Sequence, residues 1–237
     1  MNENLSRILA AVVIGLGLCG AGLGVGRGIE HFRMADRSVT VKGLAEQTVK
    51  SDFAIWTLSF RRAANSFGEV QQSLSADREQ VVAFLNRAGV QAAEIEVRPL
   101  QVQDNYAREY AQANQPYRYT GTGQVIVKSA RVDAVTKAAM SIDPLIQAGV
   151  GIEAGPGPRY QLRGFNDAKA PLLAEATRNA REQAAKFARE AGAKLGPLKN
   201  ANQGVIRITG DDGSDMDDGS SQIKRLRVVS TFEYELR

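Results

Sequence analysis

The stretch SVTVKGLAEQTVKSDFAIWTLSFRR, residues 38–62, sets the architecture of the chain. Val39 and Val41, then Phe53 and Ile55, alternate with polar neighbours, which is the period-two pattern of half-buried strands. The local reading is two antiparallel strands joined around Ala45 to Gln47.

Downstream the period changes. Phe67, Val70, Leu74, Val81, Leu85 and Ala88 fall at helical spacing, with Asn65 or Ser66 as N-cap and Gly89 just past the end. EIEVRPLQVQDNYAREY and PYRYTGTGQVIVKS read as a long hairpin turning through Ala111 to Pro116. Pairing Tyr110 with Tyr117 sets Glu109 opposite Arg118 and Arg108 opposite Tyr119, so charge and aromatic pairing favour one register. Tyr106, Arg108, Tyr110, Tyr117, Arg118 and Tyr119 then form a candidate interface hairpin. The plainer reading of the same residues is cross-strand stabilisation of an exposed ribbon.

A second helix, RVDAVTKAAMSI, ends near Pro144, and a strand follows whose Gly155 to Pro158 marks a bend or bulge. The strongest helix, residues 166–192, presents Leu173, Ala176, Ala180, Phe187 and Ala191 as a small-residue face and closes at Gly192. Two last strands, GVIRIT and KRLRVVSTFEYEL, flank DDGSDMDDGSSQ. The order ββαββαβαββ predicts an α+β fold of antiparallel strands with helices packed on the sheets, over residues 38–237. The acidic loop lacks the full spacing and the terminal bidentate glutamate of a calcium loop, so it reads as solvated.

Upstream, residues 8–26 form a run of nineteen residues without a charge, about 28 Å as a helix. It predicts one N-terminal transmembrane helix within a 1–37 anchor or uncleaved signal segment; cleavage as a signal peptide is the other reading. Gly20, Gly24 and Gly28 at spacing four are candidates for helix packing in lipid. On this reading the protein is single-pass in a bacterial inner membrane with its folded domain in the periplasm, although Arg27, Arg33 and Arg37 outnumber Arg7 and alone favour the opposite orientation. Gly15-Leu16-Gly17-Leu18-Cys19-Gly20 matches a dinucleotide fingerprint in letters only, because neither a good soluble helix nor βαβ units follow.

Composition narrows the chemistry. The 30 basic residues face 26 acidic ones dispersed among them, the pattern of a solvated surface, and no nucleic-acid module is visible. The only cysteine, Cys19, and the only histidine, His31, both lie before residue 38. Ser-His-Asp, Cys-His and His-metal schemes inside the folded domain are therefore excluded. No catalytic, cofactor-binding or metal-ligating set is assigned, and no cofactor is expected.

Taken in order, SVTVKGLAEQTVKSDFAIWTLSF, FLNRAGVQAAEIEVRPLQV, Tyr117-Arg118-Tyr119 before GTGQVIVK, IDPLIQAGVG, EATRNAREQAAKFAREAGAKLG and VVSTFEYEL resemble the SIMPL-domain family of bacterial envelope proteins. The resemblance implies a periplasmic or membrane-associated α+β domain, ring-like homo-oligomers in some relatives, and an association with oxidative-stress defence. It supplies no catalytic residues. The expected function is thus a non-enzymatic, membrane-anchored homo-oligomer. The alternatives are a binding or adaptor domain for a small ligand or partner protein, and a hydrolase using carboxylates alone.

Overall fold

The computed structural model describes residues 13–26, 37–107 and 115–237. Helix α1 covers 13–26, and β1 (Ser38–Lys50) and β2 (Phe53–Ala64) follow. Then come α2 (Phe67–Arg87), β3 (Ile95–Val97), β4 (Gln101–Asp104) and β5 (Tyr119–Ser129). Helices α3 (Val132–Met140) and α4 (Asp143–Gln147) precede β6 (Arg159–Gln161) and α5 (Phe165–Glu190). The chain closes with β7 (Leu195–Asn202), β8 (Arg207–Gly210) and β9 (Ile223–Leu236).

The strands form two sheets, one ordered β1-β9-β7 with β8 also on β9, the other β3-β5-β2-β6 with β4 also on β5. The α+β reading with antiparallel strands agrees with this. The described residues fall into two compact units, neither continuous in sequence. One unit holds Gln47–Lys169 and Arg207–Leu226; the other holds the described residues through Glu46 with Ala170–Ile206 and Arg227–Arg237.

The transmembrane expectation is overturned. Among the described residues no helix is long and apolar enough to cross a membrane. Helix α1 extends about 21 Å over its fourteen described residues, against a hydrocarbon core of about 30 Å. The single-pass inner-membrane location, the membrane as partner and the membrane-anchored function rested on that span, and neither these nor the periplasmic placement is supported without it. Residues 8–12 of the nineteen-residue uncharged run lie outside the described residues.

In the larger unit α2 packs on the β5-β2 face. Val70, Leu74, Val81 and Leu85 are fully buried against Leu58, Phe60, Val125 and Val127, with Val135 of α3 and Leu145 of α4 completing the core. A buried side chain of this size contributes roughly 1.5–3 kcal/mol. Gly123 of β5 is where Phe60 fits, since a Cβ there would meet its ring at 2.3 Å. The predicted helix end holds, for Gly89 takes φ +89 just past Ala88.

In the smaller unit the buried stripe of α5 is Ala176, Ala180, Ala184 and Ala188, facing Val41, Phe232 and Tyr234. The predicted face is corrected by about one residue, because Leu172 rather than Leu173 is fully buried and Phe187 is exposed. Only small side chains allow this approach: a Cβ on Gly43 would lie 2.0 Å from the Ala176 carbonyl oxygen.

Three further expectations are corrected. Strand β1 runs straight through Ala45 to Gln47, and the chain turns at Ser51-Asp52 to enter the other sheet, so β1 and β2 are not a hairpin. Strand β7 and helix α4 were not expected. The β4·β5 ladder places Asp104 opposite Tyr119, four residues from the expected partner Arg108.

A gap in the edge of a sheet

The candidate site lies in the larger unit and grows from the two edges of β2. One edge is paired along its length to β5, from Ala54 with Ser129 to Ala64 with Tyr119. The other edge is covered only at its ends. Near the start, Phe53, Ala54 and Ile55 pair with Gln161, Tyr160 and Arg159 of β6. Near the end, the Arg61 N–H donates to the Gly151 oxygen at 2.9 Å and the Glu153 N–H donates to the Ser59 oxygen at 2.8 Å, with a lone bridge between Phe60 and Ile152.

Between these contacts the covering chain leaves the sheet. From Phe60 to Ile55, β2 advances five residues while its partner advances seven, from Ile152 to Arg159. The surplus of two residues falls within AGPGP, residues 154–158. Pro156 and Pro158 have no N–H to offer a ladder, and Gly157 at φ +74 takes a backbone conformation that other residues resist. The sequence itself thus forces an arch here.

The arch leaves Thr57 uncovered. In an antiparallel strand the N–H and C=O of one residue point to one side and those of its neighbours to the other. The bonds of Ser59 and Arg61 show that odd-numbered residues of β2 face this edge. The Thr57 N–H and C=O therefore face the gap, and no backbone or side-chain group among the described residues pairs with them there.

A cleft of about 370 Å³ occupies this position. Its apolar wall is Trp56, Leu58 and Ile152 with Ala139, Ile142 and Ile146 from the α3–α4 region. Trp56 is 4 % exposed whereas Ile146 is 59 % exposed, so the cleft has a buried floor and an open rim. Its one charged lining residue is Glu153, whose Oε1 forms an ion pair with Arg61 Nη2 at 2.8 Å. An apolar wall with few, fixed polar groups is the usual make-up of a small-ligand cleft.

Other polar clusters are internally satisfied. Asp133 accepts from Lys50 Nζ at 2.6 Å and Gln222 Nε2 at 2.8 Å, and the Lys50 hydrogen bond above all holds its carboxyl below the usual range. Glu94 is held to about 2, first by Arg131, then by Ser129 Oγ at 2.6 Å and the Gln91 N–H at 2.8 Å. In the acidic loop, Asp217 holds Lys224. Among the described residues no group of three or more His, Cys, Asp or Glu is placed to hold a metal ion.

The sequence-predicted residues lie elsewhere. Gly20 and Gly24 stand on α1 with open space around them, and Gly28, Arg108 and Tyr110 lie outside the described residues. Tyr106, Arg118 and Tyr119 gather around a residue that the sequence reading missed, Asp104, while the Tyr117 oxygen accepts from Asn105 Nδ2 at 3.0 Å. Arg118 Nε and Nη2 donate to Asp104 Oδ2 at 3.1 and 3.0 Å, and the Tyr106 N–H donates to Asp104 Oδ1 at 2.9 Å. The Arg118 guanidinium lies 5.1 Å from the Tyr119 ring centre, and Phe67 meets that ring edge-on. Thr57, Ile146 and Glu153 were also missed; the signal was the Gly-Pro-Gly-Pro bend, whose partner strand no local reading identifies.

The family model described as SIMPL, protein of unknown function (DUF541), matches residues 39–226. This chain belongs to the SIMPL family. As the description of the SIMPL family gives no function, membership assigns none to the cleft. No curated protein matches this SIMPL chain significantly. Among solved structures it is similar to the regulatory subunit of aspartate kinase from Thermus flavus, at 16% identity over 81% of this chain and 89% of that one, with a TM-score of 0.20. An uncharacterized conserved protein from Listeria innocua is 10% identical over 78% and 91%, with a TM-score of 0.22. A hydrolase from Listeria innocua is 9% identical over 81% and 92%, with a TM-score of 0.20. Likeness at these scores carries no argument about this protein.

Proposed function

We propose that this SIMPL protein is a non-catalytic binding domain whose cleft beside Thr57 takes a small, largely apolar ligand. The observation that carries this reading is the unpaired Thr57 N–H and C=O at the edge of an apolar cleft. A donor and an acceptor that the fold leaves open give orientation, and the surrounding isoleucines and Trp56 supply the apolar burial that drives binding. Glu153 disfavours a ligand carrying a carboxylate and favours a neutral or cationic one. Absence of catalysis is supported by the lining itself: Glu153 is its only titratable side chain and is engaged by Arg61, so no acid–base pair faces the cleft.

The test is an NMR titration of the full chain with N-butylacetamide and, separately, with butyrate. The amide is expected to move the Ile142 and Ile146 methyl resonances, and butyrate to move them less. Ile146→Asp, at an exposed rim position, is expected to abolish the Ile142 methyl response while circular dichroism stays unchanged. The reading fails if neither compound moves these methyls, or if butyrate is the stronger binder.

A further inference from the structure

Resting on that cleft reading, we infer that its occupant is an extended apolar peptide unit that supplies the missing rung between β2 and β6. The argument begins with the shape of the gap. Rungs stand on both sides of it, at Ile55 with Arg159 and at Ser59 with the Glu153 N–H. Ile55 to Ser59 spans four residues, about 14 Å along the strand. That length accommodates one residue bonded to Thr57 with a peptide unit on either side, and a cleft of about 370 Å³ holds a chain of that size when its side chains are small.

Chemistry selects a peptide over a simple amide. The Thr57 N–H and C=O lie on one edge, and the group that answers both at once is a residue in extended conformation, which offers its own C=O and N–H on one side. Strand addition of this kind takes affinity from the main chain and specificity from alternate side chains.

The alternation then fixes which positions are read. A residue opposite Thr57 shares its face of the sheet, and Thr57 is exposed on that face. The residues on either side of it point to the face of Trp56 and Leu58, where Ile142 and Ile146 form the wall. The recognised pattern is therefore apolar, any, apolar, in a segment without a free carboxylate near Glu153.

Amide hydrogen exchange of the full chain, read by NMR with the capped peptide acetyl-Val-Thr-Val-amide at millimolar concentration, tests this. The peptide is expected to slow exchange of the Thr57 amide by about tenfold or more and to move the Ile142 and Ile146 methyls. Acetyl-Asp-Thr-Asp-amide is expected to do neither, and Ile146→Asp to lose both the Thr57 protection and the Ile142 methyl shift with its fold intact. Methyl shifts without protection of Thr57 overturn the rung and leave the cleft reading standing. No response at all overturns both. Protection that grows with protein concentration in the absence of peptide also overturns the proposal, because a second copy of the chain is then the occupant.

Discussion

Lys224 is fully buried, and its ammonium lies 2.5 Å from Asp217 Oδ1. A buried charge that loses its hydrogen-bonded counter-ion is far more costly than the same pair replaced by apolar groups. Asp217→Asn is therefore expected to lower unfolding stability by about 3 kcal/mol, the low end of the usual range because Asp217 keeps some exposure. Lys224→Met is expected to cost clearly less. Urea unfolding of both variants measures the difference, and equal losses would refute the charge argument.

Arg62 and Asp77 form the contrasting pair. Arg62 Nε and Nη2 each donate to the buried Asp77 carboxylate at 2.6 Å, and Nη2 also donates to the Gly149 oxygen at 2.6 Å. A third of the Arg62 side chain reaches solvent, so the arginine is rehydrated when its partner is removed. Asp77→Leu is expected to cost about 1–2 kcal/mol, less than Asp217→Asn. A double-mutant cycle with Arg62→Leu should then return a positive coupling, and additive losses would rule the pair out as a stabilising contact.

Glu94 gives the protein a defined response to acid. Its carboxyl titrates at about 2 in the folded chain, held there first by Arg131, whereas an unfolded glutamate titrates near about 4.3. The lowered value means that the contribution is complete above the unfolded value and disappears as pH falls from about 4.3 towards 2. Glu94→Gln should accordingly weaken the protein at pH 6, with the difference from the parent vanishing near pH 2. Urea midpoints across that interval check the sign, and a gap that widens on acidification would contradict it.

Gly43 is predicted to tolerate no side chain. Its added Cβ would lie 2.0 Å from the Ala176 oxygen and 2.9 Å from the Ala180 Cβ, so strand or helix must move. Gly43→Ala is expected to cost about 1–3 kcal/mol by overpacking, measured as a drop in thermal midpoint. Unchanged stability would show that β1 and α5 approach less closely than described.

What could be read from the sequence divides by distance along the chain. Gly89 and Gly192 mark helix ends through their own backbone freedom, at φ +89 and φ +66, and both were legible. The Ser51-Asp52 corner was not, because it is fixed from afar. The Ser51 N–H donates to the Gln222 oxygen, and the Asp52 carboxylate accepts the N–H groups of Arg163 and Gly164 at 2.7 and 2.5 Å. The face of α5 was misplaced because alanines at spacing four give the pattern little amplitude, and the lone Phe187 drew the reading towards itself. Strand β7 carries Gly196, Pro197 and two asparagines, residues that argue against a strand, and pairing with β9 prevails over that preference. The cleft followed the same rule: the bend at residues 155–158 was visible, whereas the open edge of Thr57 depends on which strand runs beside it.

The discontinuity of the two units has a consequence for synthesis. The larger unit needs Arg207–Leu226 and the smaller needs Arg227–Arg237, so each is completed by residues synthesised well after its first strand. The smaller unit cannot finish folding until the larger has been wholly translated, and β1 must wait for β9, more than a hundred residues behind it. Slow, late folding follows from contacts so remote in sequence. A premature stop before Leu226 would therefore deprive both units at once, whereas one beyond it would deprive the smaller unit alone.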